Sequence, residues 1–180
     1  MKKITVGHHK RLLLLMLTAL VILCTADTQA KTLRTVTATI TKITDGDTVQ
    51  AVTPEGTKLK VRLYGIDAPE TSKGKIPGEP FGNDSRNYLA SLVNQKSVRV
   101  EIRDIDRYRR MVAILWLAER NVNQEMIAAG MAEAYLEYLK QPYRTPFLQA
   151  EQTAKAQGKG IWSQGSSYER PSQFRRRLGG

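Results

Sequence analysis

Past an apolar block near its start, this chain alternates polar and apolar residues in runs whose period changes in a regular order. Residues 34–42 (RTVTATITK) and 47–54 (DTVQAVTP) alternate with β-branched residues, as half-buried strands do. Pro54-Glu55-Gly56 signals a turn, and Thr57 to Tyr64 alternates again, which predicts a meander of three strands. Residues 72–82 (SKGKIPGEPFG) hold three glycines and two prolines and read as loop. From Asn83 or Asp84 the period lengthens. Tyr88, Leu89, Leu92 and Val93 share one face of a predicted helix behind a favourable N-cap. Ser97 to Arg103 (SVRVEIR) and Met111 to Leu117 (MVAILWL) predict a fourth and a more fully buried fifth strand, separated by the polar turn Asp104-Ile105-Asp106-Arg107. A second helix is expected from Asn123, with Val122 before the cap, Ile127 as its hydrophobic staple and Gly130 closing it. A third starts at Thr145-Pro146 and ends at Gly158 or Gly160, ahead of Ile161-Trp162.

Five short strands with a helix after the third match the pattern of an OB-type barrel, an α+β fold that is mainly β. The periodicity alone also admits another small α+β fold. The 180 residues suffice for one domain with a core. Residues 1–30 stand apart. Lys2, Lys3, Lys10 and Arg11 precede an apolar run from Leu12 to Cys24, and small or polar residues lead to Ala30. That order is expected of a signal peptide cleaved after Ala30 or Ala26, with an uncleaved N-terminal anchor as the alternative. Bulky Ile22 and Leu23 before Cys24 argue against a lipoprotein. The folded domain is then expected over 31–163, followed by a basic tail, 164–180, with an Arg175-Arg176-Arg177 run and expected to be flexible.

Removal of the first 30 residues takes away the only cysteine, Cys24, and both histidines, His8 and His9. The remaining chain cannot form disulfides, an imidazole base, a Ser-His or Cys-His nucleophile, or a zinc site of the usual kind. Chemistry falls to Asp, Glu, Arg, Lys, Tyr, Ser or a hard metal ion. Lys plus Arg drops from 28 to 24 and Asp plus Glu from 17 to 16, which leaves a charge of +8. An exported basic domain suits a polyanion: nucleic acid, an acidic glycan or an anionic membrane.

The candidate chemistry lies at strand ends. Asp45-Gly46-Asp47-Thr48 opens the second strand, and Asp67-Ala68-Pro69-Glu70 follows the third. In an antiparallel pair these ends meet, so Asp47 and Asp67 are expected to face each other at one rim. Two carboxylates, a backbone carbonyl near Ala68 and waters make an oxygen-only site suited to a hard cation such as Ca2+. With histidine gone, Glu70 is the candidate base acting on water. Strand parity sets Lys58, Lys60, Arg62 and Tyr64 opposite Leu59, Val61 and Leu63, so Arg62 is expected to reach a ligand, where its planar fork suits a phosphate. Asp106-Arg107-Tyr108-Arg109-Arg110 supplies a second basic cluster, in which Arg110 leads into the fifth strand. Two arginines converging on a phosphodiester can neutralise developing charge. Tyr135 and Tyr138 either stack on a base or pack.

The stretches TDGDTV, VRLYGIDAPET, PFGNDSRNYL, DRYRRMVA and GKGIW occur in the order found in the thermonucleases, so the chain from about Thr35 to Trp162 resembles the staphylococcal (micrococcal) nuclease family. The resemblance implies an OB barrel with three helices and Ca2+-dependent endonucleolytic hydrolysis of DNA and RNA that leaves 3′-phosphates. It implies that Asp47 and Asp67 bind Ca2+ through carboxylates and Ala68 through its carbonyl. It further implies that Arg62 and Arg110 hold the phosphate, that Glu70 is the general base, and that Tyr138 lines the nucleotide pocket; Leu136 stands where a second tyrosine is often found. One departure is Arg109, which occupies the place of a glycine in the family's DRYGR. Either this turn differs, or the chain carries the ~1 kcal/mol strain of a side chain at positive φ. The expected protein is a monomer with nucleic-acid substrates and no lasting membrane attachment. Two rivals remain: an OB module that grips single strands without cutting, and an exported OB protein that recognises glycans or another protein.

Overall fold

A computed structural model describes residues 34–178, so the expected signal peptide lies outside the described residues. Eight strands form, β1 (Arg34–Ile43), β2 (Thr48–Val52), β3 (Lys58–Leu63), β4 (Ile66–Asp67), β5 (Ser97–Ile105), β6 (Met111–Leu117), β7 (Arg120–Asn121) and β8 (Glu133–Ala134). Three helices correspond to those expected: α1 (Gly82–Val93), α2 (Val122–Ala128) and α3 (Arg144–Ala156). Beyond them come a 3-10 segment, Gly160–Ser167, and α4 (Pro171–Arg177). The described residues therefore contain five helical pieces where three were expected.

β1 is the longest strand and serves two partners: residues 34–39 pair with β5 and residues 39–43 with β2, with an irregularity between Ile40 and Lys42. Such an irregularity bends a strand and strengthens its twist, which lets one strand turn a barrel corner. β2 pairs with β3, β5 with β6, and a parallel pairing of β3 with β6 closes the ring. The result is a closed five-stranded barrel of the OB type. Its interior takes the apolar beats of each strand, Ile40, Val49, Val61, Leu63, Val100, Ala113 and Leu115. Closure removes the free edges that an open sheet of this size would expose.

The helices seal the barrel with the faces their spacing predicts. Leu89 and Val93 of α1, Met126 and Ile127 of α2 and Phe147 of α3 are all fully buried. Their starts differ from expectation. α1 is preceded by Phe81 in the left-handed region, with no side-chain cap, and α2 is capped by Asn121, whose side chain accepts from the Gln124 N–H. Asn123 has another task. Its Oδ1 accepts from the Leu115 N–H, and its Nδ2 donates to the Tyr64 and Ala113 carbonyls, which ties α2 to β3 and β6. Among the described residues, no helix is long and apolar enough to cross a membrane.

The C-terminal stretch, expected as a basic tail, carries α4. Pro171 and Phe174 are buried, and Arg177 pairs with Glu169 across the start of α4. A seven-residue helix is too short to stand alone in water, so it exists here because it docks.

Candidate active site

β2 and β3 bring the expected acids to one rim. Thr48 pairs with Arg62, and the Leu63 N–H donates to the Asp47 carbonyl at 2.7 Å, so residue 47 sits level with the end of β3. Asp47 Oδ2 accepts from the Ala68 N–H at 3.0 Å, and its Oδ1 from the Thr48 hydroxyl at 3.0 Å. Asp67 belongs to β4, held from the far side by the pairing of β4 with β8, in which Asp67 faces Glu133. Gly46 makes the approach possible. A Cβ there would lie 1.9 Å from Ser85 Oγ, so the turn before Asp47 packs flush on α1.

Arg62 stands between the two aspartates. Its Nη1 pairs with Asp47, and its Nη2 donates to Asp67 Oδ1 at 3.0 Å. Strand parity did aim it away from the aliphatic face, as Val61 and Leu63 are buried in the barrel. Its partners are carboxylates because two buried acids at this spacing need a countercharge. Burial works against the charge of Arg62, but Asp47 and Asp67 outweigh it and raise its pKa. Burial likewise works to raise Asp47, and Arg62 together with the Asp45, Ala68 and Thr48 hydrogen bonds brings it below the usual carboxylate range. Asp67 is pushed up, chiefly by burial. Asp45, whose Oδ1 accepts from the Asp47 N–H, is pushed up to about 7 by burial and by the Asp47 charge. The acids at this rim are thus set apart in proton affinity by their surroundings.

Glu70 adjoins the pair. Its Oε2 accepts from Lys73 Nζ at 2.7 Å, and its Oε1 from Arg175 Nη1 at 3.2 Å. Its backbone is fixed by a reciprocal pair of bonds: the Glu70 N–H donates to Glu79 Oε1 at 3.0 Å, and the Glu79 N–H donates to the Glu70 carbonyl at 2.9 Å. A Cβ at Gly82 would lie 2.2 Å from that carbonyl, so the first turn of α1 presses on the same peptide. Burial pushes Glu79 up to about 7.

The second arginine cluster is placed but not joined to the acids. Val112 lies abreast of Arg62 in the parallel pair, so alternation sets Arg110 on the same face, two positions earlier. Its Nε donates to Asp106 Oδ2 at 2.6 Å, and the guanidinium lies 5.5 Å from the Tyr108 ring centroid. Arg109 adopts φ 60°, so the turn keeps the left-handed residue and carries its strain. Asp106 accepts from the N–H groups of Tyr108 and Arg110, each at 2.9 Å, which holds the turn. Tyr138 is exposed, its ring 5.8 Å from that of Tyr135. The Tyr64 hydroxyl donates to the Tyr138 carbonyl at 2.7 Å, and the Tyr135 N–H donates to the Gly65 carbonyl, so both tyrosines adjoin the residues leading into Asp67.

Sequence reasoning missed two participants. Arg175, from α4, donates through Nη2 to both oxygens of Asp67, at 3.0 and 2.9 Å, as well as to Glu70. Within a run of three arginines nothing marked it. Glu79 had no signal either, since it sits in a Gly- and Pro-rich loop.

The donor atoms at the rim are carboxylate and carbonyl oxygens, with no thiol or imidazole anywhere in residues 34–178. That set fits a hard cation of the Ca2+ kind and not zinc. Among the described residues, no three carboxylates, thiols or imidazoles enclose a metal position by themselves.

Residues 60–164 match the family model described as staphylococcal nuclease homologue. An uncharacterized endonuclease of Haemophilus influenzae is 41% identical over 140 residues, which cover 78% of this chain and 73% of the relative. A micrococcal nuclease of Shigella flexneri is 33% identical over 146 residues, 76% of this chain and 79% of that one. A thermonuclease of Staphylococcus hyicus is 30% identical over 126 residues, 69% and 74% respectively.

Proposed function

Because this chain belongs to the staphylococcal nuclease homologue family, a family of nucleases, we propose that it is an exported, Ca2+-dependent endonuclease that hydrolyses DNA and RNA to leave 3′-phosphate ends. The observation that carries the reading is the gathering of Asp47 and Asp67 around the Arg62 guanidinium at one rim of the barrel, with Glu70 joined to Asp67 through Arg175. The basic start and apolar run of residues 1–30 support export.

In this reading the Asp47 and Asp67 carboxylates and the Ala68 carbonyl hold Ca2+. When bound, the ion would supply positive charge that offsets the negative charge developing in the transition state. Glu70, held by Glu79 and Gly82, takes a proton from the attacking water, and the new bond forms in line with the departing 5′-oxygen. The bond from phosphorus to that oxygen breaks, the oxygen gains a proton from solvent, and the phosphate stays on the 3′ side. Arg62 and Arg110 donate to the non-bridging oxygens as charge develops. Arg110 reaches them by exchanging Asp106 for phosphate. Tyr138, exposed beside Tyr135, offers a face on which a base stacks, and Arg107 and Arg109 add phosphate contacts that weaken with salt.

The deciding test is digestion of DNA and RNA with Ca2+ and with EDTA, with the ends identified. Cleavage only with Ca2+, giving ends that a polymerase extends only after phosphatase treatment, is expected. Retention of single strands without cleavage would make the protein a binding module instead.

A further inference from the structure

We propose that α4 is a tethered plug whose Arg175 competes with the divalent cation for the rim acids, so that the protein rests in a latent form which the cation opens. This rests on the reading of the rim as a cation site. Arg175 Nη2 takes both oxygens of Asp67, and Nη1 takes Glu70 Oε1, while Lys73 holds the other Glu70 oxygen. The proposed metal ligand and the proposed base are therefore both engaged by cationic side chains of the chain itself. A carboxylate oxygen that faces a guanidinium cannot direct the same lone pair at a metal ion, and a doubly charged ion beside an arginine is repelled. Cation and Arg175 therefore compete at Asp67, where Arg62 also holds Oδ1 but turns to the phosphate in the proposed reaction, while Arg175 has no such second role.

The placement of Arg175 is built, not incidental. Ahead of α4, the Tyr168 hydroxyl donates to Glu133 Oε2 at 2.7 Å, and Arg170 Nε donates to both Glu133 oxygens at 3.0 Å. Glu133 is the strand partner of Asp67, so the anchor and the plug flank the same short ladder. Phe174, one residue before Arg175, is buried and lines a small cavity with Pro69, Glu79 and Pro80, on the loop that carries Glu70. One buried aromatic and a few ion pairs hold a seven-residue helix, so docked and undocked states lie close enough in energy for a ligand to shift them. The apparent affinity for the cation is then its intrinsic affinity scaled by the undocked fraction.

The test titrates Ca2+ into the purified protein by calorimetry, without nucleic acid, for the natural chain, Arg175→Gln, Phe174→Ala and Arg176→Gln. Arg175→Gln is expected to bind Ca2+ at least ~5-fold more tightly, and Phe174→Ala more tightly by a smaller factor. Exposed Arg176 controls for net charge, and its variant should match the natural chain. Hydrogen exchange of residues 171–177 should rise on adding Ca2+ to the natural chain. Equal or weaker binding in Arg175→Gln, or an equal gain in Arg176→Gln, overturns the plug while leaving the cation site standing. No Ca2+ binding in any of the four overturns both.

Discussion

Two buried acids on this barrel, Glu101 and Asp67, are both paired with arginine, yet their surroundings differ in kind. Glu101 on β5 accepts from the Tyr143 hydroxyl on both oxygens, at 2.8 Å each, from Trp116 Nε1 at 3.1 Å and from Arg103 Nη1 at 2.7 Å. Its donors come from β5, β6 and the residue preceding α3, elements locked in the fold. Asp67 faces the like charge of Asp47 and shares Arg175 with Glu70, so part of its compensation arrives from residue 175 on a short docked helix. A carboxylate satisfied by fixed neutral and charged donors serves the fold. One crowded by other acids and balanced by exchangeable cations is poised for a ligand.

The largest expected effect is at the centre of the Asp67 cluster. Arg62→Lys should cut turnover by ~10²–10³, since a point charge cannot replace the fork that spans two groups. Because Arg62 also bridges two buried aspartates, the variant should lose about 1–2 kcal/mol in denaturant unfolding. Near-normal turnover would remove Arg62 from the chemistry. Glu70→Gln is expected to slow cleavage by ~10²-fold with little change in stability, and an unchanged rate would exclude it as the base. Glu101→Gln should do the reverse, with a loss of about 1–3 kcal/mol and unaltered turnover per folded molecule. If it slowed turnover as much as Glu70→Gln, the contrast between the two acids would fail.

The smallest effect concerns Glu79, whose folded pKa is raised from 4.5 to about 7, first by burial. Between those values the native state keeps a proton that the unfolded chain has released, so the contribution of Glu79 to stability falls as pH rises through that window. Unfolding of Glu79→Gln compared with the natural chain at pH 4.5 and 7.5 should show the variant gaining relative stability at the higher pH. Parallel pH profiles would mean that Glu79 does not titrate there.

The barrel was legible because period-two alternation is a strong signal, and all five main strands lie within a few residues of where it put them. Asp47, Arg62, Asp67 and Glu70 were legible for a related reason: parity and the meeting of strand ends are local rules that survive folding. Helix starts were less so. Asn121 and Asn123 are both plausible caps, and only the tertiary bonds of Asn123 to Leu115, Tyr64 and Ala113 separate them. β4, β7 and β8 are two residues each, too short for any pattern. The C-terminal helix escaped because seven residues with three arginines carry no amphipathic period, and its buried Pro171 and Phe174 gain meaning only from what they meet. Arg110 was placed on the expected face, while its partner Asp106 lies in its own turn.

The 3-10 segment that leads from the last residues of the domain to α4 has one more consequence. It makes Arg175 an intramolecular ligand, present at its acids at an effective concentration on the order of millimolar, whatever the amount of protein. Releasing the chain into a large volume would leave that occupancy unchanged, so only the ionic make-up of the surroundings would set how many molecules stand open.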